Sequence, residues 1–463
     1  MKYISTRGQS NSLNFEDVLM KGLAGDRGLF LPEIWPEFSL EKISNFMTMS
    51  YNELAQELMA PFIGDLLTSN ELKDIIKKSY SSFSSSEITP LTQLSKNDFL
   101  LELFHGPTLA FKDCAMQLLG SLFEHFLKRR GEKITIICAT SGDTGAAAVE
   151  AFKNKNLIDL VVLFPKGRIS EVQQRQITTS DSANIHSLAI EGNFDDCQLI
   201  VKNLLNSDDF CNKYNLSAVN SINWVRVMAQ VVYYFYAALK VGSPEEKINF
   251  TVPTGNFGDI FAGFVAFKMG LPVETLCIAT NSNDALERFL KKGEYRVEDV
   301  KTTLSPSMDI QIASNLERLL FECSERDSKM IRDIMSDLSY EKKFNIDLKT
   351  LNKIKDLFVA KSVDEESTKK TIRYYWSNYK KLIDPHTAVG LSAGRSIPFL
   401  DGKNIFLATA HPSKFPAAVK SSIGIVPELP LNIKNIFEKK QVFTSLENIE
   451  EVVKEYFHKN INN

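Results

Sequence analysis

Residues 133–152 read KITIICATSGDTGAAAVEAF and join a short β-branched run to an alanine-rich stretch through a turn that contains two glycines. The first part has the pattern of a buried strand, and the last part has the pattern of a helix. Four further apolar runs are each followed by an amphipathic stretch, namely LIDLVVLF (157–164), NIHSLAI (184–190), INFTVP (248–253) and PVETLCIAT (272–280). This alternation predicts an α/β fold in which parallel strands are covered by helices on both faces.

Changes in composition along the chain predict three domains. Residues 1–97 are predicted to be mainly helical, and the serine-rich segment Ser79–Glu87 near their end predicts a surface loop or a linker. Residues 98–245 and 246–463 carry the strand–helix alternation. The last domain contains a charged insertion at about 325–383, which we expect to be helical and largely exposed.

The bulk composition excludes several classes of protein. The chain has 54 basic and 57 acidic residues, which leave a formal charge of −3 and argue against a nucleic-acid partner held through its phosphates. No apolar run is long enough to span a membrane, and we expect a cytoplasmic protein. The six cysteines and six histidines are scattered, so we predict no metal site.

Two glycine-containing turns follow predicted strands. They are Thr140–Ala148 (TSGDTGAAA) and Pro253–Gly263 (PTGNFGDIFAG). In α/β folds, ligands bind where strands end and helices begin, and helix N-termini attract anions such as phosphate. Neither turn has the G-x-G-x-x-G or P-loop spacing, so both predict an anion site of another kind.

Lys112 lies in the stretch FHGPTLAFKDCA (104–115), at the start of a predicted amphipathic helix and among apolar neighbours. One interpretation is a lysine whose charge reaches past Phe111 to water. The alternative is a functional amine, because desolvation and nearby positive charge lower the pKa of a lysine. An amine that attacks a carbonyl beside two anion-binding turns suggests a phosphorylated aldehyde, and therefore pyridoxal phosphate.

Several motifs resemble, in order, the threonine synthase family of the group found in enteric bacteria and fungi. They are YISTRG (3–8), GLAGDRGLFLPE (22–33), HGPTLAFKD (105–113), ATSGDTG (139–145), NSINW (220–224), PTGNFGDIFAG (253–263), DPHTAVG (384–390) and ATAHPSKFP (408–416). The resemblance implies the tryptophan-synthase-β-like fold of pyridoxal phosphate enzymes, known as fold type II. It also implies the last step of threonine biosynthesis, in which O-phospho-L-homoserine and water become L-threonine and phosphate.

The resemblance also implies roles for individual residues. Lys112 matches the lysine that forms the Schiff base, and Thr409 matches the hydroxyl that faces the pyridine nitrogen. The residues that match the loop around the cofactor phosphate are Gly255, Asn256, Phe257, Gly258 and Asp259. The expected substrate ligands are Ser141, Asp143 and Thr144 for the carboxylate, and Asn223, Arg226, Lys166 and Arg168 for the phosphate.

Three alternatives stay open from the sequence. A related phospholyase would use the same site and release a keto acid. An amino-acid dehydratase or another lyase of this fold would lack the GLAGDRGLFLPE opening. A non-catalytic binding protein would have no physical need for a desolvated amine at Lys112. We expect a monomer or a homodimer that acts on a small molecule.

Overall fold

The computed structural model describes residues 1–397 and 402–461, in which fifteen strands and nineteen α-helices follow one another along the chain. The strands are β1 (Tyr3–Ser5), β2 (Phe30–Pro32), β3 (Leu91–Gln93), β4 (Asp98–Glu102), β5 (Ile134–Ala139), β6 (Ile158–Pro165), β7 (Ile185–Glu191), β8 (Leu216–Ala218), β9 (Ile248–Pro253), β10 (Val273–Thr280), β11 (Glu294–Arg296), β12 (Lys343–Asn345), β13 (Phe358–Ser362), β14 (Lys403–Ala408) and β15 (Thr444–Glu447).

The helices are α1 (Phe15–Lys21), α2 (Leu40–Asn45), α3 (Tyr51–Ile63), α4 (Ser69–Tyr80), α5 (Lys112–Arg130), α6 (Asp143–Phe152), α7 (Glu171–Thr178), α8 (Phe194–Asn206), α9 (Asp208–Tyr214), α10 (Trp224–Val241), α11 (Gly258–Lys268), α12 (Ala285–Lys292), α13 (Leu316–Cys323), α14 (Ser328–Glu341), α15 (Leu348–Lys355), α16 (Glu365–Tyr379), α17 (Pro385–Arg395), α18 (Pro416–Ile423) and α19 (Glu450–Asn460). Short 3₁₀ segments occur at Phe46–Thr48, Gly64–Leu66, Pro306–Met308, Pro412–Lys414 and Leu431–Phe437.

Two large sheets organise the described part of the chain. One has six strands in the order β13-β10-β9-β14-β4-β3, and only the β3–β4 pair in it is antiparallel. The other has five parallel strands in the order β15-β7-β6-β5-β8. Both sheets are flanked by helices, and the predicted α/β class is confirmed.

The five predicted strand–helix units are all present, but they divide between the sheets. Strands β5, β6 and β7 belong to the five-stranded sheet, whereas β9 and β10 belong to the six-stranded sheet. The two glycine turns therefore follow strands of different sheets. Local sequence predicts a strand from its composition, but strand order depends on contacts between distant segments, which a pattern along the chain does not encode.

The hydrogen-bonded sheets do not follow the predicted domain boundaries at 98 and 246. Strand β4 pairs with β14 in the six-stranded sheet, although it precedes β5 in sequence. Strand β15, from the last predicted domain, pairs with β7. The three domains remain a prediction about folding units. The insertion at 325–383 is not purely helical either, because β13 within it forms an edge of the six-stranded sheet.

The N-terminal region is mainly helical, as predicted. Helices α3 and α4 each begin at a capping box, in which Ser50 pairs with Glu53 and Thr68 pairs with Glu71. Each box satisfies backbone N–H groups that a helix start would otherwise leave without partners. Across the described residues, we find no helix that combines the length and the apolar character needed to cross a membrane.

Helix α5 is buried along most of its length and ends at Gly131, which takes the left-handed conformation (φ 68°) expected of a C-terminal cap. It packs closely on α6 at Gly120, where a Cβ atom would lie 2.6 Å from the backbone oxygen of Ala151. Because α5 begins at Lys112 and α6 begins at Asp143, this close packing sets the separation of the two residues.

We expect Gly120→Ala to lower the free energy of unfolding by about 1–2 kcal/mol, because the added methyl group would overpack the junction of α5 and α6. In a solvent-exposed helix the same change raises helix stability by about 1 kcal/mol. The sign of the change in unfolding free energy therefore distinguishes a packed glycine from an exposed one. Denaturant unfolding would measure the effect. Lys128→Ala, at an exposed position on the same helix, is the control and should stay within about 0.5 kcal/mol. A stabilised Gly120→Ala protein would contradict the close packing.

Candidate active site

A cavity lies where the two sheets meet. It is lined by residues from the start of α5, the turn after β5, the loop after β9 and the segment after β14. The residues that line it are Phe111, Lys112, Asp143, Thr144, Ser221, Arg226, Gln230, Pro253, Thr254, Gly255, Asn256, Phe257, Gly258, Asp259, Ile260, Ser307, Met308, His386, Thr409 and Ala410.

Lys112 is the first residue of α5, and its side chain is 13% exposed. The Nζ atom lies 3.6 Å from Oδ2 of Asp143 and 4.6 Å from the centroid of the Phe111 ring. Burial lowers the pKa of the Lys112 amine; Asp143 opposes that shift, whereas Arg226 and Lys414 add to it. The amine is therefore more readily neutral, and more nucleophilic, than a surface lysine.

Asp143 is a buried carboxylate whose two oxygens have separate partners. Oδ1 accepts from Gln173 Nε2 (2.9 Å) and lies 3.0 Å from Lys414 Nζ. Oδ2 accepts from the Ser307 hydroxyl (3.2 Å) and faces Lys112. Burial alone would raise the pKa of Asp143, but Lys414 and Lys112 together hold that pKa well below its usual range. An ionised carboxylate repels another carboxylate, so this geometry does not support Asp143 as a ligand of the substrate carboxylate.

The loop after β9 has the geometry of an anion cradle. Phe257 takes a left-handed conformation (φ 65°), and α11 begins at the next residue. This places the free N–H groups and positive end of α11 at the cavity. A Cβ on Gly255 would lie 2.8 Å from the Ser307 backbone oxygen, which leaves room only for glycine.

Asn315 and Arg318 fix this loop in place. The backbone N–H and side-chain amide of Asn315 both donate to the Asn256 carbonyl, at 3.1 and 3.0 Å. Arg318 is fully buried; it donates to the Asn315 side chain and, at 2.6 Å, to the carbonyl of Ile222. The same clamp therefore joins the loop to the segment that leads into α10.

Asp259 is a buried acid with one satisfied oxygen. The hydroxyls of Tyr233 and Tyr234 donate to Oδ1 at 2.5 and 2.9 Å. Oδ2 has no hydrogen-bond partner among the described residues. Burial raises the pKa of Asp259 to about 6, although both tyrosines and Lys112 act in the opposite direction.

Arg226, in the first turn of α10, is a buried cation at the cavity wall. Its side chain lines the cavity, and Nε and Nη1 have no hydrogen-bond partner in the described part of the chain. Burial lowers the pKa of the guanidinium to about 10. A buried cation without a counter-ion is costly, so we expect an anion to complete this wall.

Thr409 follows β14 and lines the cavity on the side of Lys112. Its backbone oxygen accepts from the N–H of Phe111 (2.8 Å), which ties the end of β14 to the start of α5. The cavity thus presents an amine, an anion cradle, a neutral hydroxyl and an unpaired cation. These groups fit pyridoxal phosphate, which carries an aldehyde, a phosphate and a ring nitrogen.

Four predicted site residues do not line the cavity. Ser141 belongs to the turn after β5 but is not among the lining residues. Asn223 caps α10 by accepting from the Val225 N–H and donates to the Leu19 carbonyl, so its side chain is structural. Lys166 is half-exposed and pairs with Glu191 (3.1 Å), and Arg168 is exposed. A charged residue close to a strand end in sequence does not have to face the site.

Sequence reasoning missed Lys414 and Ser307, which contact Asp143 but lie outside both glycine-containing turns. Lys414 carried a usable signal, because it stands in the motif ATAHPSKFP directly beside a phenylalanine, as Lys112 does in HGPTLAFKD. His386 stands in the motif DPHTAVG, and the sequence leaves a functional and a structural role equally open for it. It lines the cavity, where its Nε2 accepts from the Ser307 N–H (3.1 Å).

Asp259→Asn should stabilise the cofactor-free protein by an amount that grows with pH. The pKa of Asp259 rises from its ordinary 3.8 to about 6 on folding. The contribution of this carboxyl to stability is therefore complete below pH 3.8 and is lost as pH rises through about 6. Asparagine does not titrate. We expect its advantage over wild type to grow by about 1–2 kcal/mol between about pH 5 and about pH 7.5.

Denaturant unfolding at the two pH values measures this difference. Asp299→Asn, at an exposed position, is the matched control, and its difference from wild type should not change with pH. A pH-independent difference for Asp259→Asn would mean that the carboxyl is not desolvated as the geometry indicates.

Comparison with known protein families gives three matches in the order of the chain. Residues 2–80 match the family "Threonine synthase N terminus", residues 86–341 match "Pyridoxal-phosphate dependent enzyme", and residues 387–457 match "Threonine synthase, C-terminal". The second match alone covers more than half of the chain and includes Lys112, both glycine turns and Arg226.

Individual relatives are similar over almost the full length. Threonine synthase of Pseudomonas aeruginosa is 47% identical over 455 residues, which cover 97% of this chain and 96% of that protein. The crystal structure of pyridoxal-phosphate-bound threonine synthase from Brucella melitensis has a TM-score of 0.97 and 48% identity, and the match covers 100% of both chains. The yeast threonine synthase structure has a TM-score of 0.94 and 39% identity, with 99% and 98% covered. The predicted resemblance, fold and cofactor are confirmed, and the chain belongs to the threonine synthase family of pyridoxal-phosphate-dependent lyases.

Proposed function

We propose that Lys112 binds pyridoxal phosphate in this cavity and that the protein converts O-phospho-L-homoserine and water to L-threonine and phosphate. The observation that carries the proposal is the desolvated Lys112 amine, which shares one cavity with the anion cradle after β9 and with the unpaired Arg226. Two separate anion positions suit a phosphorylated cofactor together with a phosphorylated substrate. The relatives named threonine synthase support the choice of reaction.

The residues divide the work of holding the cofactor. N–H groups in the loop 255–259 and the positive end of α11 would bind its phosphate. Lys112 would hold its aldehyde carbon, and the Thr409 hydroxyl would face its ring nitrogen. A neutral hydroxyl does not keep a proton on that nitrogen, unlike a carboxylate. When bound, pyridoxal phosphate supplies an electron sink for charge that develops on the substrate side chain.

Lys112 would then act as base and acid in turn. Its Nζ takes the proton from Cα of the substrate, and Asp143, 3.6 Å away, stabilises the resulting ammonium. A second proton leaves Cβ, and phosphate departs from Cγ. Cγ then takes up a proton, water adds at Cβ, and Nζ returns a proton to Cα. An amine with a lowered pKa suits both directions of transfer.

We assign the substrate phosphate to Arg226, a buried cation that lines the cavity and whose Nε and Nη1 have no hydrogen-bond partner among the described residues. The substrate carboxylate would bind at the start of α6, where Thr144 lines the cavity and Ser141 belongs to the same turn. We further propose that the protein works in the cytoplasm as a monomer or a homodimer. The formal charge of −3 supports a small-molecule partner rather than a nucleic acid.

Product analysis tests the reaction. Purified protein supplied with pyridoxal phosphate and O-phospho-L-homoserine should release equal amounts of threonine and phosphate. Lys112→Ala should lose the visible absorption band of the bound cofactor and lower turnover by at least about 1,000-fold. Lys166→Ala, a lysine outside the cavity, is the matched control and should keep both. Phosphate released with a keto acid would identify the phospholyase alternative instead.

Arg226→Gln tests the substrate phosphate site. Loss of charge-assisted hydrogen bonds to the phosphate should raise KM for O-phospho-L-homoserine by about 10- to 100-fold. Cofactor affinity should change little, and thermal stability should not fall, because an unpaired buried cation is removed. Arg168→Gln, at an exposed position, is the control. Weakened cofactor binding with an unchanged KM would reassign Arg226 to the cofactor phosphate.

A further inference from the structure

Lys414 is a second lysine close to the site, and its side chain is fully buried. It lies at the end of the 3₁₀ segment Pro412–Lys414 and is not among the residues that line the cavity. Its Nζ atom lies 2.6 Å from the carbonyl oxygen of Thr108, 2.8 Å from Oε1 of Gln176 and 3.0 Å from Oδ1 of Asp143. An ammonium has three N–H donors, so every donor of Lys414 has an acceptor inside the protein.

These three acceptors come from three separate segments. Thr108 precedes α5, Asp143 begins α6 and Gln176 lies on α7. Gln176 also donates to the Thr108 carbonyl at 3.0 Å, which closes the network. One ammonium therefore ties the segment that leads to Lys112 to the segment that carries its counter-ion.

We propose that Lys414 is a positioning residue that acts through Asp143 to set the proton affinity of the Lys112 amine. Lys414 occupies Oδ1 of Asp143, and Oδ2 is left to face Lys112. The Lys414–Asp143 ion pair has no net charge. The Lys112 amine is therefore next to the dipole of an ion pair rather than next to an uncompensated carboxylate. This inference rests on the proposal that Lys112 binds pyridoxal phosphate.

The other charged groups near Lys112 show why Lys414 matters. Arg226 faces it from α10, Asp259 lies close on α11, and His386 on α17 acts on Asp143. Without Lys414, the two carboxylates would face Lys112 with Arg226 as the remaining nearby cation. Burial and the positive charge of Arg226 and Lys414 both lower the pKa of Lys112, so loss of the Lys414 charge should raise it.

Lys414→Gln keeps an amide that can donate to Thr108 but removes the charge. Only the neutral Lys112 amine attacks the cofactor aldehyde, and the aldehyde oxygen leaves as water. The rate at which full-length, cofactor-free protein captures pyridoxal phosphate therefore reports the Lys112 pKa without any turnover. We expect the midpoint of that pH–rate curve to rise by about one unit or more, with about tenfold slower capture at neutral pH and recovery at high pH.

The double variant Asp143→Asn/Lys414→Gln removes both charges and leaves no buried ion unpaired. Its midpoint should return to within about half a unit of wild type. If Lys414→Gln fails to fold, Asp143→Asn replaces it in the comparison. In that variant no Asp143 carboxylate offsets the positive charge of Lys414, which lowers the pKa of Lys112. The midpoint of the Asp143→Asn curve should therefore lie below that of the double variant by about one unit or more.

The outcomes separate this proposal from the one on which it rests. The role of Lys414 would be overturned if the pH–rate curves of the compared variants had equal midpoints, or if capture of pyridoxal phosphate were slowed by the same factor at every pH. Either result would leave Lys112 as the cofactor lysine. Borohydride reduction followed by peptide mass mapping shows which lysine holds pyridoxal phosphate. Label on Lys414 would overturn both proposals, whereas label on Lys112 with the shifted midpoint would support both.

Discussion

Burial of charge at the junction of the two sheets is the constraint on which this structure depends. Lys112, Asp143, Lys414 and Arg226 all lie where water is largely excluded, and each isolated ion there would cost several kcal/mol. For Lys112, Asp143 and Lys414, the fold meets that cost by fixing partners from segments that are far apart in sequence. The contacts that stabilise the buried charge of Lys414 therefore also hold the starts of α5 and α6 close together.

The pairing is incomplete where the ligands would bind. Among the described residues, Nε and Nη1 of Arg226 and Oδ2 of Asp259 have no hydrogen-bond partner, and the first N–H groups of α11 have no acceptor within the helix. Unpaired groups would be defects in a packed core, but the N–H donors among them, beside a cavity, form a preorganised surface for anions. The Asn315–Arg318 clamp supports this state, because it satisfies the Asn256 carbonyl and fixes the position of the loop.

Prediction from sequence succeeded where function and local structure coincide. Lys112 and the loop 255–259 adjoin a helix start and a strand end that local composition locates, Thr409 comes from the family resemblance, and all of them line one cavity, whereas their individual roles remain predictions. Prediction failed for residues whose place in the site depends on the direction in which the side chain points. Lys166 follows a predicted strand as Asp143 does, yet it points to the surface and pairs with Glu191. Asn223 stands three residues before Arg226, yet its amide is used to cap the helix.

The sequence by itself determined the strand–helix alternation, the glycine turns, the unusual position of Lys112 and the family, because each depends on residues that are neighbours along the chain. Only the tertiary structure decided that the two glycine turns follow strands of different sheets, that β13 and β15 complete those sheets, and that Lys414 reaches Asp143. These features depend on contacts between segments separated by many residues. Strand order, side-chain direction and the charge around a buried amine are properties of the packed chain, and no local pattern specifies them.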